Sequence, residues 1–262
     1  VKRRAALLLG AVAVIAGSYV ALNRDEAARP AKPRLPSACK PVTFDGKRFT
    51  ECIAVPGKHR ITTRITGSNG VIYRGFSGLA EDVDPATVAF AVNGGMYDTG
   101  SEPIGYYAQD GQRLYPLNTR DGGGNFYLKP NGVFFGDDDG HWRVMTSDDF
   151  ATQVTERPAF GTQSGPMLLV DGKLNPQISP DGTSLKIRNA VGVDAEGRAH
   201  FVISDEPVSF GTLAALMRDH AGTSDALFLD GTVSALWDPA TGRIDGRYPL
   251  GPLILVTHRA PD

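Results

Sequence analysis

Between Val42 and Glu156 the chain breaks into short apolar or β-branched runs: HRITTRI, GVIYRGF, TVAFAVN, IGYYAQDG, NFYLKPNGVFFGDDDG and HWRVM. Gly, Asp, Asn and Pro separate them, and that alternation of run and breaker reads as strands and hairpins. Asp110-Gly111, Asn131-Gly132 and Asp171-Gly172 read as two-residue turns with positive φ. Asp137-Asp138-Asp139-Gly140 sits between apolar strands. It lacks the alternating ligand spacing of a calcium loop and reads as a solvated turn.

The clearest helix starts after Ser209, a plausible N-cap, carries Phe210, Leu213, Leu216 and Met217 on one face, and ends at Gly222. Strand KIRNAVGVD, hairpin Ala195 to Arg198, strand HFVIS, this helix over 209–221 and strand DALFL make a continuous ββαβ segment. The expected class is α+β: a single domain with a mixed, largely antiparallel β-sheet and few helices. The 262 residues, 41% hydrophobic and 21% charged, are ample for one core and exclude a disordered or collagen-like chain.

Charge is unevenly spread. Residues 1–38 carry +5 and the remainder −7, within a net charge of −2. An acidic body without a basic stripe lacks the footprint of nucleic-acid binding. Lys2-Arg3-Arg4 precedes an uncharged stretch of 18 residues, Ala5 to Leu22. As a helix it would span roughly 27 Å, against a hydrocarbon core of about 30 Å.

Residues 1–22 therefore read as a signal peptide or an uncleaved membrane anchor, with the basic end cytoplasmic. Residues 23–38, rich in charge, Ala and Pro, read as a tether, and 39–262 as the folded domain. The expected location is periplasmic or otherwise extracytoplasmic, with attachment to the inner membrane through residues 5–22. In that compartment Cys39 and Cys52 can pair, free thiols being the alternative. A bridge across so short a loop stabilises by about 3 kcal/mol.

The five histidines are scattered, and neither HExxH nor CxxC spacing occurs, so no metal is expected. Gly161-Thr162-Gln163-Ser164-Gly165 is not a nucleophile elbow, and Gly122-Gly123-Gly124 lacks the lysine and helix of a phosphate loop, so no cofactor is expected.

Four segments place polar groups where apolar strands end, the arrangement that preorganises a site. Asn93-Gly94-Gly95-Met96-Tyr97 follows the strand Val88 to Val92, its glycines offering N–H groups to an anion or sugar. Gln163-Ser164-Gly165-Pro166 sets a hydroxyl and an amide beside a glycine. Arg188-Asn189 interrupts an apolar run with a guanidinium that, if turned inward, needs an anionic partner. In Leu229-Asp230-Gly231-Thr232 an aspartate terminates an apolar strand, a usual place for a working carboxylate. Taken singly, each also fits a structural turn or a solvent-facing residue.

In order along the chain, NGGMYD, PIGYYAQDG, NFYLKPNGVFF, TQSGPMLLVDGKL, RNAVGVD and LFLDGTVSALW resemble the phosphodiester glycosidase family over about residues 88–237. Animal members usually carry a third glycine and serines after the aspartate. Gly231 is followed here by Thr232-Val233-Ser234, which resembles the bacterial branch.

The resemblance implies hydrolysis of a glycosidic bond to phosphate in a phosphorylated sugar or glycan. Arg188 would then clamp the phosphate as a bidentate donor, and Asp230 would serve the sugar as nucleophile, base or oxocarbenium stabiliser. Asn93 and the Gly94 and Gly95 amides would complete the site with Met96, Gln163, Ser164, Gly165, Asn189, Gly231 and Thr232. Asp205, at the end of HFVIS, is the expected second carboxylate, while Asp194 reads as a hairpin cap. The competing reading is an envelope module that binds phosphorylated glycans without turnover.

Overall fold

Three Asp-Gly pairs turn the chain back on itself in two residues each. Asp45-Gly46, Asp110-Gly111 and Asp171-Gly172 all have positive φ at both positions, the geometry that matches the twist of paired strands. The structure, a computed structural model, describes residues 35–260. The expected anchor, 1–22, and residues 23–34 of the tether lie outside the described residues.

The first half contains β1 (Cys39–Phe44), β2 (Lys47–Ala54), β3 (His59–Arg64), α1 (Phe76–Asp82) and β4 (Val88–Asn93). There follow β5 (Tyr107–Gln109), β6 (Gln112–Tyr115), β7 (Gly132–Gly136), β8 (Trp142–Thr146) and α2 (Ser147–Gln153). The second half holds β9 (Phe160–Ser164), β10 (Met167–Val170), β11 (Lys173–Leu174), β12 (Asn189–Val193) and β13 (Ala199–Ser204). It ends with α3 (Phe210–Asp219), β14 (Ala226–Phe228), β15 (Leu236–Asp238), β16 (Arg243–Ile244) and β17 (Leu253–His258).

These strands form three sheets rather than one. Their orders are β1-β2-β13-β12-β14-β10-β11, β16-β15-β4-β17-β3 and β6-β5-β9-β7-β8. The strand pairs among the described residues are antiparallel, which corrects the expected mixed sheet. Residues 35–260 lie in one compact unit. Cys39 and Cys52 stand opposite each other in the β1–β2 register and are bonded.

One core serves all three sheets. Phe90 of β4, Phe134 of β7, Phe160 of β9 and Phe201 of β13 meet there with Ile61, Leu227 and Ile254, and Phe201 receives Phe90 and Phe134 edge-on at 5.3 and 5.6 Å. On the other face of the seven-stranded sheet, Leu213, Leu216 and Met217 of α3 cover Ala190, Val202 and Phe228. Burial on both faces explains why β4 is apolar from Val88 to Val92 instead of alternating. Ser209 caps α3 by accepting from the Thr212 amide, as its position predicts.

Two expected elements differ. In GVIYRGF, Gly70, Arg74 and Gly75 adopt positive φ, and only Ile72 bridges, to Thr66. Its last residue, Phe76, opens α1 and with Leu79 packs beside Trp237, so burial of two residues at helical spacing overrides the strand-like composition. Asn131-Gly132 is likewise no turn. Gly132 begins β7, wedged between the Met145 carbonyl and the Met167 side chain, so there the glycine serves close packing.

Candidate active site

The four polar segments of the sequence meet in space. At the end of β4, Asn93 Nδ2 donates to the Asp230 carbonyl at 3.0 Å, and Asn93 Oδ1 accepts from Asn189 Nδ2 and from the Ala235 amide, both at 2.9 Å. Asn189 begins β12, and its carbonyl accepts from the Leu229 amide at 3.1 Å. Phe228 ties the same strand end to the segment Gln163 to Pro166 by donating to the Pro166 carbonyl at 3.1 Å. Ser234 Oγ lies 3.1 Å from Asn189 Oδ1 and 3.0 Å from the Gly231 carbonyl, so its proton bridges the two sides of the turn.

The outcome is an aspartate on a turn pinned from three strands. Asp230 leaves β14 in an extended conformation, is half-buried, and precedes a single 3-10 turn at Gly231–Val233. The Thr232 side chain lies outside the described residues. Tyr97 stands close enough to feel the carboxylate: burial, then the Asp230 charge, push its phenol up to about 12. That hydroxyl donates to the Pro249 carbonyl at 2.6 Å, so at neutral pH it is a fixed proton donor rather than an anion.

Several expected ligand contacts are employed inside the protein instead. The Gly94 amide donates to the Pro252 carbonyl at 2.7 Å and the Gly95 amide to Thr162 Oγ1 at 3.0 Å, so neither is offered to an anion. A Cβ on Gly95 would run into the Gln163 carbonyl; the glycine is there for close approach to β9. Gln163 also acts as a strut. Its Oε1 accepts from the Tyr106 and Asn118 amides, and its Nε2 donates to the Asn118 carbonyl and Ser147 Oγ, which exhausts its amide. Asn93 and Asn189 are likewise positioning residues, because their amides face the Asp230 turn and each other.

Gly165 has Asn131 and Phe126 against it. Met96 packs with the core under α3. Gly231 is buried against the Phe228 ring. Ser164 Oγ and Asn131 Oδ1 are buried without a hydrogen-bond partner among the described residues. Each belongs to a neighbouring position, Ser164 facing Gly132 in the β7–β9 register.

Arg188 is 3% exposed and carries no carboxylate partner among the described residues. Nε donates to the Val208 carbonyl and Nη2 to the Ser184 carbonyl, both at 2.9 Å. The guanidinium stacks on Phe210 at 3.7 Å, with Phe228 at 5.6 Å. Burial brings its pKa down to about 10. The cation is inward, one of the two orientations the sequence left open, but the expected bidentate fork is not free, since Nε and Nη2 already hold carbonyls.

Asp205 is drawn elsewhere. It accepts from Thr50 Oγ1 at 3.1 Å and pairs with Arg243 at 3.5 Å, so it is engaged by a cation of its own. Asp194 caps its hairpin by accepting from the Glu196 and Arg198 amides. It also clamps buried His200 against Glu51, at 2.9 and 2.8 Å. Sequence reasoning passed over this triad, along with Tyr97 and Ser234. An aromatic two residues after a glycine pair and a hydroxyl four residues beyond the aspartate were the available signals for the last two. Among the described residues no cluster of three His, Cys, Asp or Glu side chains fits a metal.

A half-buried carboxylate on a pinned turn with a fixed phenol beside it is equipment suited to a hydrolase that works by charge and proton placement. The phosphodiester glycosidase family model matches residues 86–246. The uncharacterized protein YigE of Escherichia coli K12 is 34% identical over 207 residues, covering 78% of this chain and 80% of that one. The chain belongs to the phosphodiester glycosidase family. The fold is shared with the catalytic domain of zebrafish N-acetylglucosamine-1-phosphodiester alpha-N-acetylglucosaminidase, auto-inhibited by its pro-peptide, at a TM-score of 0.56 and 18% identity. That similarity covers 88% of this chain and 86% of the zebrafish one.

Proposed function

We propose that this enzyme hydrolyses sugar-1-phosphodiesters of an envelope or extracellular glycan, with Asp230 acting at the anomeric carbon. The observation that supports this most directly is the pinning of the Asp230 turn by Asn93, whose amide holds the Asp230 carbonyl, Asn189 and Ala235 together. Such a frame fixes the backbone from which the carboxylate projects, which attack at a defined carbon requires.

Water is added across the bond between the anomeric carbon and the phosphate oxygen. Hydroxide goes to the sugar, and the phosphate monoester leaves as an anion that needs little protonation. One positioned carboxylate is therefore enough for the chemistry, in keeping with the engagement of Asp205 by Arg243. Arg188 supplies positive potential to the departing phosphate through its charge, while its carbonyl bonds and the Phe210 face hold it in place.

An extracytoplasmic location is supported by the apolar run Ala5 to Leu22 behind three basic residues and by the Cys39–Cys52 bond. The test is incubation of purified protein with a panel of sugar-1-phosphodiesters, N-acetylglucosamine among them. Stoichiometric release of reducing sugar and phosphate monoester supports the reading. Binding without release would leave a glycan-recognition module.

A further inference from the structure

Behind the backbone bridge from Tyr97 to Pro103 the chain builds a concavity that the chemistry above does not use. It is a cleft of about 600 Å³, lined among others by Asp98, Glu102, Tyr115, Asn118, Arg120 and Tyr127, within the size range of small-ligand sites. It is coupled to the site by backbone. Tyr97, which senses Asp230, bridges directly to Pro103 on the cleft wall, and Ile104 donates to the Met96 carbonyl at 3.2 Å. The far wall hangs on Gln163, whose amide holds Asn118 by both its N–H and its carbonyl.

The lining is specific in kind. Two tyrosines, Tyr115 and Tyr127, line it, with Tyr127 set edge-on to Phe126 at 5.0 Å. Buried Asn118 accepts from Arg120 through Nε at 3.3 Å and through the backbone amide at 3.1 Å. No carboxylate pairs with Arg120 among the described residues. Asp98 and Glu102 outnumber this cation, so the cleft is neither an anion trap nor an apolar slot. Aromatic faces interleaved with an amide, a guanidinium and carboxylates suit a neutral polyhydroxylated chain, whose C–H faces stack while its hydroxyls bond.

We propose that this cleft is a subsite for carbohydrate extending from the scissile phosphodiester. It rests on the function proposed above and would make the enzyme selective for glycan-borne over isolated sugar-1-phosphodiesters.

Two substrates test it: the methyl phosphodiester of N-acetylglucosamine-1-phosphate, and the same phosphodiester made to a primary hydroxyl of maltotriose. Wild type should prefer the second by about tenfold in kcat/KM, the scale of one charged hydrogen bond or stacked ring. Arg120→Ala and, separately, Tyr127→Leu should abolish that preference through KM and leave the methyl ester unaffected. Equal treatment of both substrates by wild type, or equal loss on both in the variants, overturns the subsite. If neither is cleaved the proposed function falls. Calorimetric titration of the maltotriose diester then decides the subsite alone: about tenfold weaker binding in Arg120→Ala supports it, and unchanged binding refutes it.

Discussion

Asn189 Nδ2 donates to Asn93 Oδ1 across 2.9 Å, joining side chains 96 positions apart at the ends of β12 and β4. Because Asn93 Nδ2 in turn holds the Asp230 carbonyl at 3.0 Å, two sheets jointly set the height of the Asp230 turn. Asn93→Asp keeps the acceptor but replaces that donor with a second acceptor facing the Asp230 carbonyl. A shift of the turn by a fraction of a residue should lower kcat by about a hundredfold, with KM little changed. A parallel rise in KM would instead place Asn93 in substrate contact.

Gly95 is a packing glycine: a Cβ would meet the Gln163 carbonyl, and its amide is already bound to Thr162 Oγ1. Gly95→Ala should therefore cost about 1–3 kcal/mol by overpacking. Denaturant unfolding measures this, and an unchanged midpoint would restore the exposed-amide role.

The Glu51–His200–Asp194 triad makes stability depend on pH from both sides. Burial opposes ionisation of Glu51, but hydrogen bonds from His200 and Lys40 win and bring it to about 2; Asp194 is also lowered, against its burial, by His200 and Arg198. Burial disfavours the His200 cation, yet hydrogen bonds to Glu51 and Asp194 raise its pKa. The carboxylate contribution is complete above their unfolded values, near pH 4–4.5, and fades as pH falls towards 2. The His200 contribution is complete below about 6.5 and fades as pH rises through the raised value. Stability should thus peak between about pH 5 and 6.5. His200→Gln should lose about 1–3 kcal/mol there by removing one of the hydrogen-bonded cations each buried carboxylate shares, Lys40 and Arg198 remaining. It should also flatten the alkaline limb, and a limb unchanged in this variant would assign it to other groups.

Much of this architecture is legible in residue order. Asp-Gly pairs announced two-residue hairpins wherever both residues were free to turn, and the Ser209 cap marked α3. Asn131-Gly132 misled because the same dipeptide also suits a crowded strand start, and only the Met145 and Met167 neighbours decide between the two. The four polar segments were readable as a set. The employment of each side chain was not, because hydrogen-bond partners such as Gln163 with Asn118, or Asp205 with Arg243, are distant in sequence. Asp194 was readable as a hairpin cap, but nothing local hints that Glu51 and His200 share its buried charge.

Arg188 separates geometry from charge. Arg188→Lys retains the cation, but one ammonium cannot reproduce a planar group that spans the Val208 and Ser184 carbonyls while stacked on Phe210. It should lower both thermal stability and kcat/KM, the latter by more than about tenfold. Lost stability with full activity would make Arg188 purely structural.

The central claim is that Asp230 is the carboxylate that acts on the sugar. Asp230→Asn keeps the shape of the turn and its bond from Asn93 to the backbone carbonyl, and removes only the charge. Single-turnover hydrolysis of N-acetylglucosamine-1-phosphate methyl ester by wild type and variant, with melting temperature and ligand affinity measured on the same samples, tests it most directly. The account predicts a fall of roughly a thousandfold in rate with melting temperature and affinity preserved. A wild-type rate from the folded variant would contradict it.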